Sequence, residues 1–437
     1  MAKIESISIH GLGFLGTALA AGFAKKGIFV SGIDKSPEKV DSINKGRISF
    51  GDKEVISLIR YAVKKKKILA TTDFAEGTKK ANIHFVCVGT PVRDNGTVIL
   101  NSLFDVAKAL GSFLKKTSGF HLIVIKSTVP PGTTAKVINL IKQRSGKNPG
   151  RDFSVVMSPE FLREGYAILD FYNPPFTVIG AADSKGGKLL EQLYKQAGLK
   201  ENIFHMKLHE AELFKYANNS FHALKVVFAN EMARICSTYR IDAKKIMETF
   251  AKDKRLNLSS QYLSPGFAFG GSCLPKDLRA IARFDDDCQL FRTIIDSNQQ
   301  HISFVVSKIK GMKCKHVLLS GIAFKKDMGD FRESPYIFLM RQLLDVGIAV
   351  NFIDPLFEGG SIFGANKTFI LNTLPDLAKH QIKRLPKYND YDVILIGCDN
   401  YIPIIYLKKH KKTIIDLQGT LYEHKGQFTQ YFSIWDL

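Results

Sequence analysis

The sequence predicts an α/β protein built of two doubly wound parallel-sheet domains joined by one long central helix. Three observations carry this. Short apolar runs alternate with helical patterns up to about residue 205; residues 209–240 form one helical pattern with neither glycine nor proline; and the alternation then resumes. Alternation of this kind places parallel strands side by side with crossover helices on both faces.

Taken in order, the first unit opens with the strand "ISIHG", a helix from about Thr17 to Lys26, and the strand "FVSGID". Strand candidates follow at "ANIHFVCVG", "HLIVIKSTV" and "FSVVMS". The glycine-free stretch after His209 is longer than a crossover requires, so it reads as a connector that also offers an oligomer interface. Beyond the glycine-rich "SPGFAFGGSCLPKD" come "HVLLSGIAF", a helix from Ser334 to about Val346, "AVNFID", "DVILIG" and "TIIDLQ". This second alternation is Rossmann-like as well, and Asp354 ends its second strand as Asp34 does in the first. The expected division is 1–205, a Rossmann-like dinucleotide-binding domain; 206–300, a helical connector; and 301–437, a second Rossmann-like domain.

Bulk properties agree with this division. A chain of 437 residues suggests two or three domains. With 45% hydrophobic and 24% charged residues it has the composition of a globular protein. The apolar N-terminal stretch lacks a basic segment before it and is broken by His10, Gly11 and Gly13, unlike a secretory signal. No run approaches the roughly 18 uninterrupted apolar residues of a membrane span, so a cytoplasmic location is expected. The six cysteines form no C-x-x-C pair, and no metal site is expected. Cys87 and Cys398 lie in strand-like runs, where a thiol acts as a small buried hydrophobe. The net charge of +21 is dispersed, and its densest runs, Lys64 to Lys67 and Lys408 to Lys412, carry no interleaved aromatics. That argues against nucleic acid as a partner and for a field that gathers an anionic cofactor and a diphosphate substrate.

Gly11-Leu12-Gly13-Phe14-Leu15-Gly16 matches G-x-G-x-x-G between a strand and a helix. Such glycines permit a tight turn and bring a pyrophosphate to the helix N-terminus. Asp34, at the end of the second strand, suits a ribose diol and repels a 2'-phosphate, which selects NAD over NADP. Cys273 precedes Pro275 at the start of a helix pattern, and a thiol at a helix N-terminus beside Lys276 favours the thiolate, hence a nucleophile. On the connector, Lys215, Asn219, His222 and Asn230 span about 80° of arc at 100° per residue and share a face. Read from the residues, that stripe is either an interhelical polar network or a substrate site. Thr128 in "KSTVPPGTT" falls at the carboxyl edge of the sheet, where ligands of open α/β sheets lie. Glu160 and Glu164 in "MSPEFLREG" project from the same edge, either as helix caps or as the acids of a hydrolytic step.

The ordered set "GLGFLG", "VGTP", "STVPPGT", "SPEFLREG", "GGSCLPKD" and "FKKDMGDFRESP", with the Lys215 helix, resembles the UDP-glucose and GDP-mannose dehydrogenase family over nearly the whole chain. Within it, "RLNLSSQYLSPGFAFGGSCLPKD", "FHALKVVFANE" and "GANKTFI" look closest to the GDP-mannose branch. The resemblance implies a four-electron oxidation of a hexose primary alcohol by two NAD in succession, through a Cys273 thiohemiacetal and thioester that water releases as the uronate. It implies that Lys215 and Asn219 stabilise the oxyanion, that Thr128 and Asp277 arrange water and protons, and that Glu164 assists hydrolysis. Implied cofactor contacts are Phe14, Leu15, Asp34, Lys39, Thr90, Thr128, Lys276 and Arg332. Implied substrate contacts are Glu160, Glu164, Lys215, Asn219, His222, Asn230, Tyr262, Phe267, Gly270 and Lys325, some of them reaching across a homodimer.

Two positions depart from the GDP-mannose pattern: Gln261 stands where an aromatic is usual and Ser264 where an arginine is usual. Losing a bidentate cation there leaves UDP-glucose as the alternative substrate. "GGSCLPKD" favours plain hexoses over N-acetylated sugars, whose enzymes usually show "GGHC". A non-catalytic nucleotide-sugar sensor of the same fold is the reading from another class, against which Cys273, Lys215 and Asp277 all speak.

Overall fold

The computed structural model describes all residues except 1–2, 49–50, 200–201, 255–264, 284–288, 358–361, 363, 388–389 and 435. The chain forms two compact units, Met1–Ala217 and Asn218–Leu437.

The first unit holds eight strands: β1 (Ser6–His10), β2 (Phe29–Ile33), β3 (Ile68–Thr71), β4 (Ile83–Val86), β5 (His121–Ile125), β6 (Phe153–Met157), β7 (Thr177–Ala181) and β8 (Ile203–Met206). Their order is β3-β2-β1-β4-β5-β6-β7-β8. Neighbours are parallel except at β6–β7, so β7 and β8 run against the rest. Wholly parallel strands were expected here; the connection after β6 reverses the chain, and that same connection carries Glu160 and Glu164. The strand order changes direction between β1 and β4, the crevice where open sheets bind ligands. Apolar side chains cover both faces, with Ile7, Ile9 and Phe85 on one and Val86, Ile123 and Ile125 on the other. This double burial is what a mostly parallel sheet demands.

The second unit has five parallel strands, β9 (His316–Ser320), β10 (Ala349–Ile353), β11 (Val393–Ile396), β12 (Thr413–Asp416) and β13 (Gln430–Ser433), ordered β10-β9-β11-β12-β13. Val317 and Leu319 face one core and Leu318, Ile394 and Ile396 the other.

The connector is a single helix of 32 residues, Leu208–Tyr239, that starts in the first unit and ends in the second. In the second unit its Ala223 and Val227 pack with Leu278 of the helix Leu274–Ile281 and Ile294 of the helix Gln289–Gly311. Predicted helix ends hold to within a few residues. The first helix is Phe14–Lys25, entered straight from Gly13, and Ser334 caps the helix Pro335–Asp345 by accepting the Tyr336 N–H.

Candidate active site

In the first unit the three glycines serve three different needs. A Cβ on Gly11, which has φ +97°, would lie 2.8 Å from the Cys87 carbonyl oxygen, and one on Gly16 would lie 1.9 Å from the Gly11 oxygen. Neither space exists. A Cβ on Gly13 would meet nothing within 4 Å, so there the missing side chain serves the approach of a ligand. No side chain caps the helix Phe14–Lys25, whose first-turn N–H groups are therefore offered to an external anion. Phe14 and Leu15 are half-buried on that turn.

Asp34 is nearly buried, and its carboxylate is already oriented. Oδ2 accepts the Leu12 N–H at 2.8 Å, Oδ1 accepts the Ser36 N–H at 3.0 Å, and the Lys39 ammonium stands 3.7 Å from Oδ2. These residues fit NAD: glycine loop, open helix end and the acid that follows β2 converge at the β1–β4 switch point, where Asp34 would take the ribose diol. On the β4 and β5 side, Thr90 donates its hydroxyl to the Thr128 carbonyl at 2.8 Å, tying together two of the expected contacts.

At the carboxyl edge of β6, Glu160 and Lys215 form an ion pair at 3.1 Å with side chains 15% and 5% exposed. Glu160 also accepts the Leu162 N–H at 2.7 Å, and the Lys215 ammonium lies over the Phe161 ring. Glu164 is half-buried in the same connection. A cation so desolvated and held by a carboxylate is suited to stabilising charge that develops on an oxygen.

In the second unit Cys273 is exposed and sits at the N-cap of the helix Leu274–Ile281, with Pro275 in the first turn. Cys87, Cys236 and Cys398 are buried, and burial pushes the Cys87 thiol up to about 12 and the Cys398 thiol higher still. Among the described cysteines Cys273 alone is fully presented for chemistry. One turn on, the buried Asp277 carboxylate accepts from the Asn219 amide on one oxygen and pairs with the Lys276 ammonium on the other.

The loop before Cys273 is held from several sides. A Cβ on Gly270 would lie 2.3 Å from the Glu333 carbonyl oxygen, and one on Gly271, at φ +85°, 2.8 Å from the Phe324 ring. Close backbone approach thus seats this loop on the segment between β9 and the helix Pro335–Asp345. Asn230 accepts the Gly266 N–H at 3.0 Å, and His301 hydrogen-bonds the Gly266 carbonyl at 3.0 Å. Asn298 accepts the Phe269 N–H and donates to its carbonyl. Burial, with Arg234 nearby, lowers His301 to about 4 and keeps the ring neutral. Asn298, His301 and Arg234 were missed by the sequence reading; they lie on long helices among polar surface residues, with no local motif to mark them.

The polar stripe of the connector therefore parts to four partners. Lys215 meets Glu160, Asn219 meets Asp277, His222 meets Asn218 and Asn230 meets the glycine-rich loop. Phe267 is 3% exposed and its ring packs on Tyr336. Arg332 forks onto Asp330 in its own loop, and Lys325 is half-buried while its neighbour Lys326 pairs with Asp399 at 3.0 Å. Tyr262, Gln261 and Ser264 lie outside the described residues.

The second sheet repeats the geometry of the first without its glycine helix. Gly321 donates to the Ile353 carbonyl at 2.9 Å as Gly11 does to Ile33 at 2.8 Å, and Asp354 accepts the Ile322 and Leu356 N–H groups as Asp34 accepts those of Leu12 and Ser36. Asp354 is 1% exposed, which raises its pKa, and a third backbone donor, Ala323, completes its shell. This acid is a loop staple.

Three profiles of one family match in order: the NAD binding domain of the UDP-glucose/GDP-mannose dehydrogenase family over residues 5–198, its central domain over 209–300 and its UDP binding domain over 318–401. The GDP-mannose 6-dehydrogenase of Pseudomonas savastanoi pv. phaseolicola is 36% identical over 421 residues, 94% of this chain and 96% of that protein. The UDP-glucose 6-dehydrogenase of Haloferax volcanii is 35% identical over 363 residues, 80% and 83% of the two chains. Among solved structures, a UDP-glucose dehydrogenase from Pyrobaculum islandicum matches with TM-score 0.85 at 28% identity, covering 99% and 98%. A GDP-mannose dehydrogenase from Pseudomonas aeruginosa, solved as a ternary complex, matches with TM-score 0.57 at 34% identity, covering 98% and 99%. The chain belongs to the UDP-glucose/GDP-mannose dehydrogenase family and is an NAD-dependent nucleotide-sugar 6-dehydrogenase.

Proposed function

We propose that the chain oxidises GDP-mannose to GDP-mannuronate through a thiohemiacetal and a thioester on Cys273. The observation that carries this is Cys273 itself, exposed at a helix N-cap while the other described cysteines are buried or half-buried. NAD, when bound, accepts one hydride at each of the two oxidations. The Cys273 thiol adds to the aldehyde carbon, forming a C–S bond; loss of a hydride from that carbon gives the thioester; water then cleaves the C–S bond, yielding the carboxylate and the thiol. Lys215 and Asn219 hold the oxygen on which negative charge develops. Asp277 and Thr128 order water and receive protons, and Glu164 assists hydrolysis. Glu160 keeps Lys215 in place and meets the substrate.

GDP-mannose is favoured because GDP-mannose 6-dehydrogenases match over 94% of the chain. UDP-glucose is the second reading, favoured by the UDP binding domain match over 318–401. The test is NADH formation with each nucleotide sugar. Two NADH per GDP-mannose consumed, with UDP-glucose at least tenfold poorer in kcat/KM, supports the first reading, and the reverse order replaces it. Full activity in Cys273→Ala would refute the covalent route.

The division 1–205, 206–300 and 301–437 assigns cofactor, connector and nucleotide-sugar roles in turn. A homodimer through the connector is supported by an apolar face: Phe221 is 43% and Phe228 40% exposed, and the Phe228 ring packs, tilted, on that of the exposed Phe250 at 5.6 Å between centroids. Sedimentation of wild type and Phe228→Glu, expected as dimer and monomer, tests this. A cytoplasmic setting is part of this proposal; none of the described helices is long and apolar enough to cross a membrane.

A further inference from the structure

Lys126 follows β5 at the carboxyl edge of the first sheet and is 6% exposed. Among the described residues no carboxylate lies within ion-pair distance of its ammonium. Its contacts are the Pro159 carbonyl at 3.1 Å and the Tyr194 hydroxyl at 3.4 Å, with the Tyr194 ring centroid 5.8 Å away. Tyr194 is itself fixed by Ser158, whose hydroxyl lies 2.8 Å from the phenol oxygen. An ammonium taken out of water without a counter-ion is costly, and a methionine or leucine would fill the space without that penalty. It braces Pro159 directly and Ser158 through Tyr194, and the next residue in the chain is Glu160. Lys126 and Glu160 also act in opposite senses on the buried thiol of Cys87, the first lowering and the second raising its pKa, so both charges reach one point at this edge.

We propose that Lys126 is a positioning residue: by binding the Pro159 carbonyl it fixes the backbone that aims Glu160 at Lys215, and so sets the place of the Lys215 ammonium. This rests on the reading of Glu160 and Lys215 as parts of the active site. The link is mechanical and local. β5 and β6 are parallel and paired from His121 with Phe153 to Ile125 with Met157, so the residues leaving both strands start in register. The last ladder bond of this pair runs from the Ser158 N–H to the Ile125 carbonyl at 2.9 Å; Pro159 has no N–H to extend it, and the Lys126 ammonium on the Pro159 carbonyl supplies the next tie between the two outgoing chains.

The test is a double-mutant cycle between Lys126→Met and Glu160→Gln, read as kcat and KM for both substrates and as Tm. Because misplacement of about 1 Å at a reacting centre can cost on the order of 100-fold, Lys126→Met is expected to lower kcat about 30-fold or more with both KM values within about twofold of wild type. The double variant is expected to match Glu160→Gln within about threefold, since both changes act through one carboxylate. If Glu160→Gln is impaired and the two losses multiply, or if Lys126→Met turns over like wild type, the Lys126 proposal is overturned and the reading of the site stands. If Glu160→Gln itself retains wild-type turnover, the reading of the site fails and the proposal with it. Should Lys126→Met show no cooperative melting transition, Lys126→Gln, which keeps a neutral donor, takes its place in the same cycle under the same criteria.

Discussion

The side-chain amide of Asn298 clamps both backbone groups of Phe269, accepting its N–H at 2.9 Å and donating to its carbonyl at 3.0 Å. Phe269 stands four residues before Cys273, so a helix far along the chain sets the path of the loop that delivers the thiol. Asn298 is 6% exposed, and Asn298→Ala leaves two backbone groups unsatisfied, at about 1–3 kcal/mol each. The expected outcome is a Tm several degrees lower and a raised KM for the nucleotide sugar, with NAD affinity unchanged by fluorescence titration. A loss confined to NAD affinity would contradict this role.

The glycine loop makes two substitutions diverge. Gly13→Ala adds a methyl group where the protein has no atom within 4 Å, at φ −75°, so melting should stay within about 0.5 kcal/mol of wild type. NAD binding, measured by calorimetry, should nevertheless weaken at least tenfold as that methyl meets the pyrophosphate. Gly16→Ala places a Cβ 1.9 Å from the Gly11 oxygen and should destabilise the chain itself. Equal stability of the two variants would show that the loop relaxes freely.

Cysteine labelling should follow exposure. Iodoacetamide at neutral pH is expected to modify Cys273 before Cys87, Cys398 or Cys314, since burial raises the pKa of all three and shields the first two. Peptide mass spectrometry against time reads this directly, and activity should fall in step with Cys273 modification. Early loss of activity with Cys273 still unmodified would count against its role.

A buried chain of side chains crosses the first sheet: the Ser8 hydroxyl lies 3.2 Å from His10 Nε2 and 2.7 Å from His84 Nδ1, and His84 Nε2 lies 2.9 Å from His121 Nδ1. Burial lowers all three histidines, His10 to about 3, with His10 and His121 also disfavouring charge on His84 and Lys147 on His121. The folded state therefore stays neutral where the unfolded state takes up protons, below the ordinary value of 6.5. Stability should be full above that pH and fall as pH drops through 6.5 to 5, by up to about 1.4 kcal/mol per pH unit for each histidine. Urea unfolding at successive pH values checks the slope, and a flat profile over that interval would refute neutral burial.

Legibility in the sequence followed the range of the interactions. The glycine loop, Asp34, the Cys273 helix start and the long connector are written in neighbouring residues, because turns, caps and helical periodicity are satisfied within a few positions. Strands β3, β8 and β13 bury only some of their residues, so no continuous apolar run marks them as it marks the equally short β4, β11 and β12, and the reversal at β6–β7 has no local signature.

By itself, then, the amino-acid order determined the fold class and the cofactor loop, and it singled out Cys273, the nucleophile proposed above. Only the tertiary structure decided which polar groups share partners: Glu160 with Lys215, Asn219 with Asp277, Asn298 with Phe269 and Lys126 with Pro159. The reason is physical. A buried charge or amide is tolerable only where folding supplies its partner, and here each partner comes from a distant stretch of chain whose position the packing of sheets and helices alone determines.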